Sequence, residues 1–392
     1  MISRDTLRQL AEIESKSGHA VSFFYQPPVA RDRAHREEQI LIKDLIRNAS
    51  ESLEKRGRNN GDQGLRSDLD RIASVGNQLR GNGAHSKAIF ACSEQGIWRE
   101  FNLPAQLPET RLEVNSHFHL EPLVELMSRA PRTCVAVIDR EHAVIFESSL
   151  GELSGSEKIV NPQPRRVRSD GFHGYDAGHV ERHVDNEAMR HFKEVADRLL
   201  ARFEKDHFDY LAIGCRDELW SEIYPHLHSY LTQRLVGRFS GDAAFTDQQQ
   251  IVDHVDRLIA EREANDRQGL TREVLGEAQR DALGAVGLRN VLRSLEKGEV
   301  QVLLMGNNFS AQASECNNCG HMDTRVSKTC GVCGQDAVEV KDIADSLVRQ
   351  AILHGVSIVF ISDDPEFDRV GNVGALLRFR SDQNTEEKKM AG

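Results

Sequence analysis

The segment CNNCGHMDTRVSKTCGVC sets two C-x-x-C pairs ten residues apart, at Cys316, Cys319, Cys330 and Cys333. Few sequence features restrict local geometry so tightly, because four sulfurs on one ion must sit at the corners of a tetrahedron about 2.3 Å from its centre. A closed set of four thiolates leaves no open position for a substrate. The spacing therefore predicts one structural Zn²⁺ ion, held in a zinc ribbon at about residues 314–336. Gly320 and Gly334 follow the two pairs directly, where the backbone has to turn tightly around the metal. The alternatives for the same cysteines are a redox pair or four unligated thiols, and His321 is a candidate to replace one thiolate.

The remaining three cysteines, Cys92, Cys134 and Cys215, are scattered, and an odd total of seven argues against a secreted disulfide framework. They read as small buried hydrophobes. No run approaches the roughly 20 apolar residues that cross a bilayer, and the opening MISRDTLRQLAEIESKSGHA lacks the apolar core of a secretion signal. A cytoplasmic protein is the expectation. The formal charge of −11 counts against indiscriminate coating of nucleic acid, so any RNA contact should be confined to local basic patches.

The chain reads as an α/β multidomain protein in three regions, at 1–130, 131–270 and 271–392. In the first, AVSFFYQPP is a strand halted by two prolines. Ile40, Leu41, Leu45, Ile46 and Leu53 then recur at helical spacing, another helix surrounds Leu69 to Leu79, and Ala88–Cys92 with Ile97–Phe101 flank a glycine turn. The second opens with the hairpin TCVAVIDREHAVIFES. Val180, Val184, Ala188, Phe192, Val195, Leu199 and Phe203 later mark one face of a long helix, and FDYLAIGC is a buried strand. In the third, REVLGEAQRDALGAVGLRNVLRSLEKGE reads as helix, followed by VQVLLMG, the cysteine insert, KDIADSLVRQAILHG, VSIVFIS and VGALLRFR. Such alternation gives a small α/β sandwich. The tail SDQNTEEKKMAG has a disordered composition.

Between the hairpin and the long helix lies RVRSDGFHGYDAGHVERHVDNEAMRH, with four histidines in one segment. Arg165, Arg166 and Arg168 stand at its start, ahead of the histidines, and guanidinium groups there can grip RNA phosphates without reading sequence. Arg31, Arg33 and Arg36 form a second such patch, and Lys55, Arg56 and Arg58 a third on a glycine-rich loop. An ordinary solvated surface is the alternative for all three. His179 and His183 share a helix face with Asp176 nearby, a metal-compatible spacing, yet the H-E-x-x-H arrangement is missing. No P-loop and no G-x-S-x-G elbow occur either.

Three segments together resemble the archaeo-eukaryotic peptide-chain release factor and Pelota superfamily. NSHFHLEPLVELMSRAPRTCVAVIDREHAVIFESSLGEL is similar to the entrance of the catalytic domain, GAVGLRNVLRSLEKGEVQVLLM to the helix-glycine-strand unit of the last domain, and LVRQAILHGVSIVFISDDPE with VGNVGALLRFR to its closing elements. The N-terminal region resembles the bacterial branch, and the whole is most similar to Balon-type ribosome hibernation factors. The resemblance implies an N domain, an RNase-H-like central domain and a C domain similar to kink-turn-binding ribosomal proteins. In true release factors a Gly-Gly-Gln loop lies between hairpin and long helix; here no glutamine lies between Arg165 and His191, and the counterpart of the loop tip falls around His173, Gly174 and Tyr175. The stop-codon-reading Asn-Ile-Lys-Ser and Tyr-x-Cys-x-x-x-Phe elements are also absent.

The resemblance thus implies a translation factor that occupies the A site of the 70S ribosome without hydrolysing peptidyl-tRNA, in hibernation or protection. The implied RNA contacts are Arg165, Arg166, Arg168, His173, Gly174, Arg31, Arg33, Arg56 and Arg58, with EF-Tu or a related translational GTPase as partner and a monomer as the working state. Two other readings stay open: an active rescue or release-type hydrolase with His173 as general base, and a zinc-stabilised RNA-binding adaptor.

Overall fold

The computed structural model describes residues 4–26, 35–55, 63–76, 86–103, 107, 109–128, 131–149, 152–162, 177–243, 247–307, 309–316 and 318–381. Along the first region run α1 (Arg4–Ala11), β1 (Ala20–Tyr25), α2 (His35–Lys55), α3 (Gln63–Gly76), β2 (Ser86–Cys92), β3 (Ile97–Leu103), β4 (Arg111–Asn115) and α4 (Glu121–Ser128). The central region holds β5 (Thr133–Ile138), β6 (His142–Ser149), β7 (Glu152–Val160), α5 (Ala177–Asp206), β8 (Tyr210–Gly214), α6 (Asp217–Ile223), α7 (Ser229–Thr232), β9 (Leu235–Phe239) and the start of α8 (Gln248–Gln279). Then come β10 (Gly284–Val286), α9 (Leu288–Glu296), β11 (Val300–Gly306), β12 (Ala313–Cys316), β13 (Met322–Asp323), β14 (Ala337–Val340), α10 (Ala344–Leu353), β15 (Ser357–Ile361), α11 (Pro365–Arg369) and β16 (Val373–Leu377). Among the described residues no helix is long and apolar enough to cross a membrane.

The three regions of the sequence reading form two compact units, because the first and third share a core: residues 1–128 with 269–392 make one unit, and 129–268 the other. The cause is visible in β1, the strand flanked by β2 and β4 in the antiparallel order β3-β2-β1-β4. All six of its residues are buried, and side chains alternate between the two faces of a strand. Val21, Phe23 and Tyr25 pack with Ile42 of α2 and Leu65, Leu69 and Ile72 of α3. Ala20 and Phe24, on the opposite face, join Phe90 and Phe118 in a cluster that continues through Val291, Leu295, Leu303, Leu347 and Val373. The second cluster lies between the N-terminal sheet and the sheet β10-β16-β11-β15 of the third region.

A polar contact is set into that shared core. Asp345, in the first turn of α10, is largely buried and accepts a hydrogen bond from Leu120 N at 2.9 Å. His119 Nδ1 stands 3.1 Å from one of its oxygens and His117 Nδ1 3.5 Å from the other. Farther along α10, Arg349 Nε donates to the carbonyl of Ala11 at 3.0 Å. Burial by itself would raise the carboxyl pKa, but the two imidazoles and their hydrogen bonds outweigh it and hold Asp345 far below the usual carboxylate range. Both histidines are correspondingly raised: burial lowers them, and Asp345 more than reverses this. Nearby Glu121 is pushed up to about 7, chiefly by burial.

The other face of the C-terminal sheet packs Leu304 and Ile361 against Val274 of α8 and Phe367 of α11. Here the helix expected over 272–299 is interrupted: α8 ends at Gln279, and β10 pairs with β16 before α9 begins. Gly284 explains the break, since a Cβ there would lie 2.4 Å from both the Val274 carbonyl and the Ala278 nitrogen. Only a residue without a side chain lets the strand cross the helix end so closely.

In the central unit the order is β7-β6-β5-β8-β9, with β5 parallel to β8, β8 parallel to β9, and β6 antiparallel to both neighbours. Alternation in TCVAVI again supplies two cores. Cys134, Ala136 and Ile138 meet Ala188, Phe192, Val195 and Leu199 of α5, whereas Val135 and Val137 meet Ile251 and Val255 of α8. Cys92, Cys134 and Cys215 are all buried, and burial pushes the Cys134 thiol up to about 12 and that of Cys215 to about 11. They are packing residues.

The linkage has a defined sign. Histidines with raised folded pKa values contribute stability below the ordinary imidazole range that is lost as pH rises through their raised values; Glu121, raised from 4.5 to about 7, acts in the same direction. Asp345, lowered, contributes stability above the ordinary carboxylate range that is lost as pH falls toward its folded value. Thermal unfolding is expected to show the first unit losing stability from pH 6 to pH 9. Asp345→Asn should lower stability by on the order of 3 kcal/mol at pH 6 and flatten that slope; an unchanged slope in the variant would refute the assignment.

Candidate metal centre

The cysteine insert folds around a three-stranded antiparallel sheet in the order β13-β12-β14. Cys316 closes β12, and Cys319 stands in the turn that leads to β13; Cys330 and Cys333 repeat the arrangement in the turn before β14. Each pair sits in the same hydrogen-bonded knuckle. Gly320 N donates to the Cys316 carbonyl at 3.0 Å and Gly334 N to that of Cys330 at 3.1 Å, with both glycines in the left-handed region at φ 69° and 72°. Asn318 N points at Cys316 Sγ and Val332 N at Cys330 Sγ, each at 3.4 Å. The second thiol of each knuckle likewise receives a backbone N–H, from His321 at Cys319 and from Gln335 at Cys333.

The four sulfurs lie within 4.8 Å of one another, with Cys316–Cys333 at 3.4 Å and Cys319–Cys330 at 3.7 Å. A regular tetrahedron with bonds of about 2.3 Å has edges of about 3.8 Å, so the residues fit a Zn²⁺ ion. Among the described residues this is the one cluster of metal-ligating side chains with such convergence. His321 is committed elsewhere: its Nδ1 lies 2.8 Å from Glu296 Oε1 on α9. That pairing leaves the four-sulfur set as the donor set. At Cys319 the His321 N–H lowers the pKa, but hydrogen bonds with Cys333 and the other sulfurs prevail and push it up to about 12; Cys333 is lowered, first by the Gln335 N–H. A cation replaces this competition by stabilising all four thiolates.

The RNA-contact residues read from the sequence, Arg31, Arg33, Arg56, Arg58, Arg165, Arg166, Arg168, His173 and Gly174, lie outside the described residues, as does Asp176. His179 and His183 fall within α5, but their side chains also lie outside the description. What is described is the frame of that loop. β7 ends at Val160, and Asn161 directly after it bonds with Nδ2 to His191 Nδ1 at 3.1 Å and Glu194 Oε2 at 2.9 Å on α5. His191 is fully buried, and burial lowers its pKa, keeping the ring neutral. The buried His117, His119 and Asp345 group had no sequence signal beyond the string HFH, since its acid partner lies 225 or more residues away.

Comparison with known proteins shows what the chain is similar to. Residues 119–282 match the family described as bacterial archaeo-eukaryotic release factor family 10. Peptide chain release factor subunit 1 of Archaeoglobus fulgidus is 24% identical, with 96% of this chain and 97% of the relative covered. Release factor subunit 1-1 of Methanosarcina acetivorans is 22% identical over 70% and 72% of the two chains. Among solved structures, S. cerevisiae Dom34, a translation termination-like factor involved in RNA quality control and interacting with Hbs1, aligns over 75% of this chain and 80% of its own with 12% identity and a TM-score of 0.41.

Purified protein is expected to carry one zinc ion per chain by elemental analysis. Cys316→Ser or Cys330→Ser should abolish the stoichiometry, and chelation should raise hydrogen exchange across residues 313–340 while the central unit keeps its protection. Metal-free protein with reduced thiols and unchanged protection in that segment would eliminate the centre.

Proposed function

We propose that the chain, which matches release-factor-like proteins over residues 119–282 and along most of its length, is a release factor/Pelota-like, ribosome-binding translation factor occupying the A site without peptidyl-tRNA hydrolysis, in ribosome hibernation or protection. One observation carries this reading: between hairpin β5–β6 and helix α5 the sequence keeps the superfamily's order but contains no glutamine from Arg165 to His191. Positioning a water against an ester demands a side chain held at close tolerance, and the residue for that task is missing. The absence of both stop-codon-reading elements points the same way. The strand order β7-β6-β5-β8-β9 with β6 antiparallel supports an RNase-H-like central region.

The action is then steric occupancy. Arg165, Arg166 and Arg168 before the loop, with Arg31, Arg33, Arg56 and Arg58 in the N-terminal region, contact rRNA phosphates, and the sequence tip around His173 and Gly174 takes the place of the catalytic loop. No residue is catalytic. The zinc, when bound, fixes the ribbon and supplies no reaction chemistry, since four thiolates close its coordination. A monomer on the 70S ribosome in the cytoplasm, delivered by EF-Tu or a related translational GTPase, completes the proposal.

Sedimentation with vacant 70S ribosomes and with ribosomes carrying peptidyl-tRNA tests it. Stoichiometric pelleting without peptide release is expected, with affinity falling steeply as salt rises and with a shallower salt dependence in an Arg165→Ala, Arg166→Ala, Arg168→Ala variant. Peptide release that vanishes in His173→Ala would replace this reading with the hydrolase, and absence of pelleting would remove it.

A further inference from the structure

The central unit has a pocket between the end of α5 and the approach to β9, of about 540 Å³, lined by Phe203, His207, Phe208, Asp209, Gln233 and Arg234. Phe208 is its buried floor, packed edge-on against Phe203 at 5.3 Å between centroids. The Arg234 guanidinium lies 4.2 Å over the Phe203 ring and donates to the Tyr230 carbonyl at 3.2 Å. Among the described residues it has no carboxylate partner, in contrast to Arg132, Arg202 and Arg238 of the same unit. A planar cation is thereby held flat by an aromatic ring with its charge uncompensated.

The rim has matching chemistry. Tyr230 is 53% exposed, and the exposed His228 ring lies 4.9 Å from it. Asp209 and Gln233 are both exposed at the pocket. Asp209 Oδ2 accepts from Arg132 N at 3.0 Å, and the described residues provide no partner for its other oxygen. The site therefore offers flat stacking surfaces, a free positive charge, a carboxylate acceptor and an amide that can donate. We propose that it takes an unpaired guanine of single-stranded RNA. The base stacks on the Arg234 and Tyr230 surface, Asp209 accepts from the guanine N1–H and N2–H, Gln233 donates to O6, and Arg234 compensates the neighbouring phosphate. A carboxylate against two donors rejects adenine, which presents an unprotonated N1 there. The proposal deepens the ribosomal reading by naming a base-recognition site, although the pocket itself stands on its own geometry.

The test uses the full-length zinc-loaded protein and fluorescence anisotropy with three labelled RNA nonamers: all uridine, or uridine with a central guanosine or a central adenosine. The guanosine oligomer should bind about tenfold tighter than the other two. Arg234→Lys, which keeps the charge but loses the plane, and Tyr230→Ala should remove about tenfold, and Asp209→Asn, at an exposed position, should erase the preference for guanosine over adenosine. Thermal unfolding of each variant checks that it is folded. Equal affinity for the three RNAs, or Asp209→Asn that retains the guanosine preference, overturns the proposal. Ribosome pelleting weakened by Arg234→Lys with no oligomer binding would transfer the surface to a protein partner and equally overturn it. Guanosine preference in a protein that does not pellet with ribosomes would sustain the pocket while the A-site reading falls.

Discussion

A carboxylate removed from water has to be surrounded by donors or it is strongly destabilising, and Asp345 imposes that condition on the larger unit of this protein. Its donors come from residues 117–120, so the first turn of α10 stays in place only while the end of the N-terminal region is present to receive it. Around it the packing is apolar and continuous, from Phe24 and Phe90 on one sheet to Leu303 and Val373 on the other. Apolar burial supplies the adhesion. The shared carboxylate supplies the register, because two imidazoles and one backbone N–H can converge on it in few relative placements of the two regions. Arg349, one helical turn on, adds a second fixed point at the Ala11 carbonyl.

The cysteine-bearing insert stands in the same unit and follows a different logic. Its strands are two to four residues long and carry little apolar surface, with Val326, Val332 and Val338 exposed. So small a sheet cannot bury enough to be stable by itself, and the four converging sulfurs stand where a core would be. The His321–Glu296 contact and the Ser346–Glu315 hydrogen bond tie the ribbon back to α9 and α10. One part of the unit is thus held by burial, while the other gathers four cysteines that would hold it by coordination.

Much of this was legible from the chain. AVSFFY and TCVAVI read as strands from their apolar runs and the turn signals beside them, and the structure buries both and has each feed two cores. The stripe Ala188, Phe192, Val195 and Leu199 read as a helix face, and the C-x-x-C pairs read as one site, since both depend on spacing alone. Other features depend on partners distant in sequence. No local pattern joins His119 to Asp345. REVLGEAQRDALGAVGLRN has helical composition throughout, and the strand within it exists because Gly284 permits an approach to α8 that no periodicity encodes. β7, whose sequence ELSGSEKIV is polar on most positions, is an edge strand and so lacks the apolar signature of its neighbours. The arginine loops read from the sequence lie outside the described residues, so composition alone speaks for them.

The shared core has a consequence for how the protein is made. Synthesis runs from the N-terminus, and the central unit, all of whose sheet and helix partners precede residue 268, can close while later residues are still to come. The N-terminal region has less independence: the face of its sheet bearing Phe24 and Phe90 is covered in part by its own α1 and residues 118–124, and the rest of that cover comes from residues 285 onward. At about 5–20 residues per second that face waits roughly 10 to 40 seconds on the translating ribosome, together with two histidines whose carboxylate has not yet been polymerised. The order of the genetic text therefore makes this apolar surface a natural client for chaperones during synthesis, and it makes truncation after the central unit a route to aggregation rather than to a smaller folded protein.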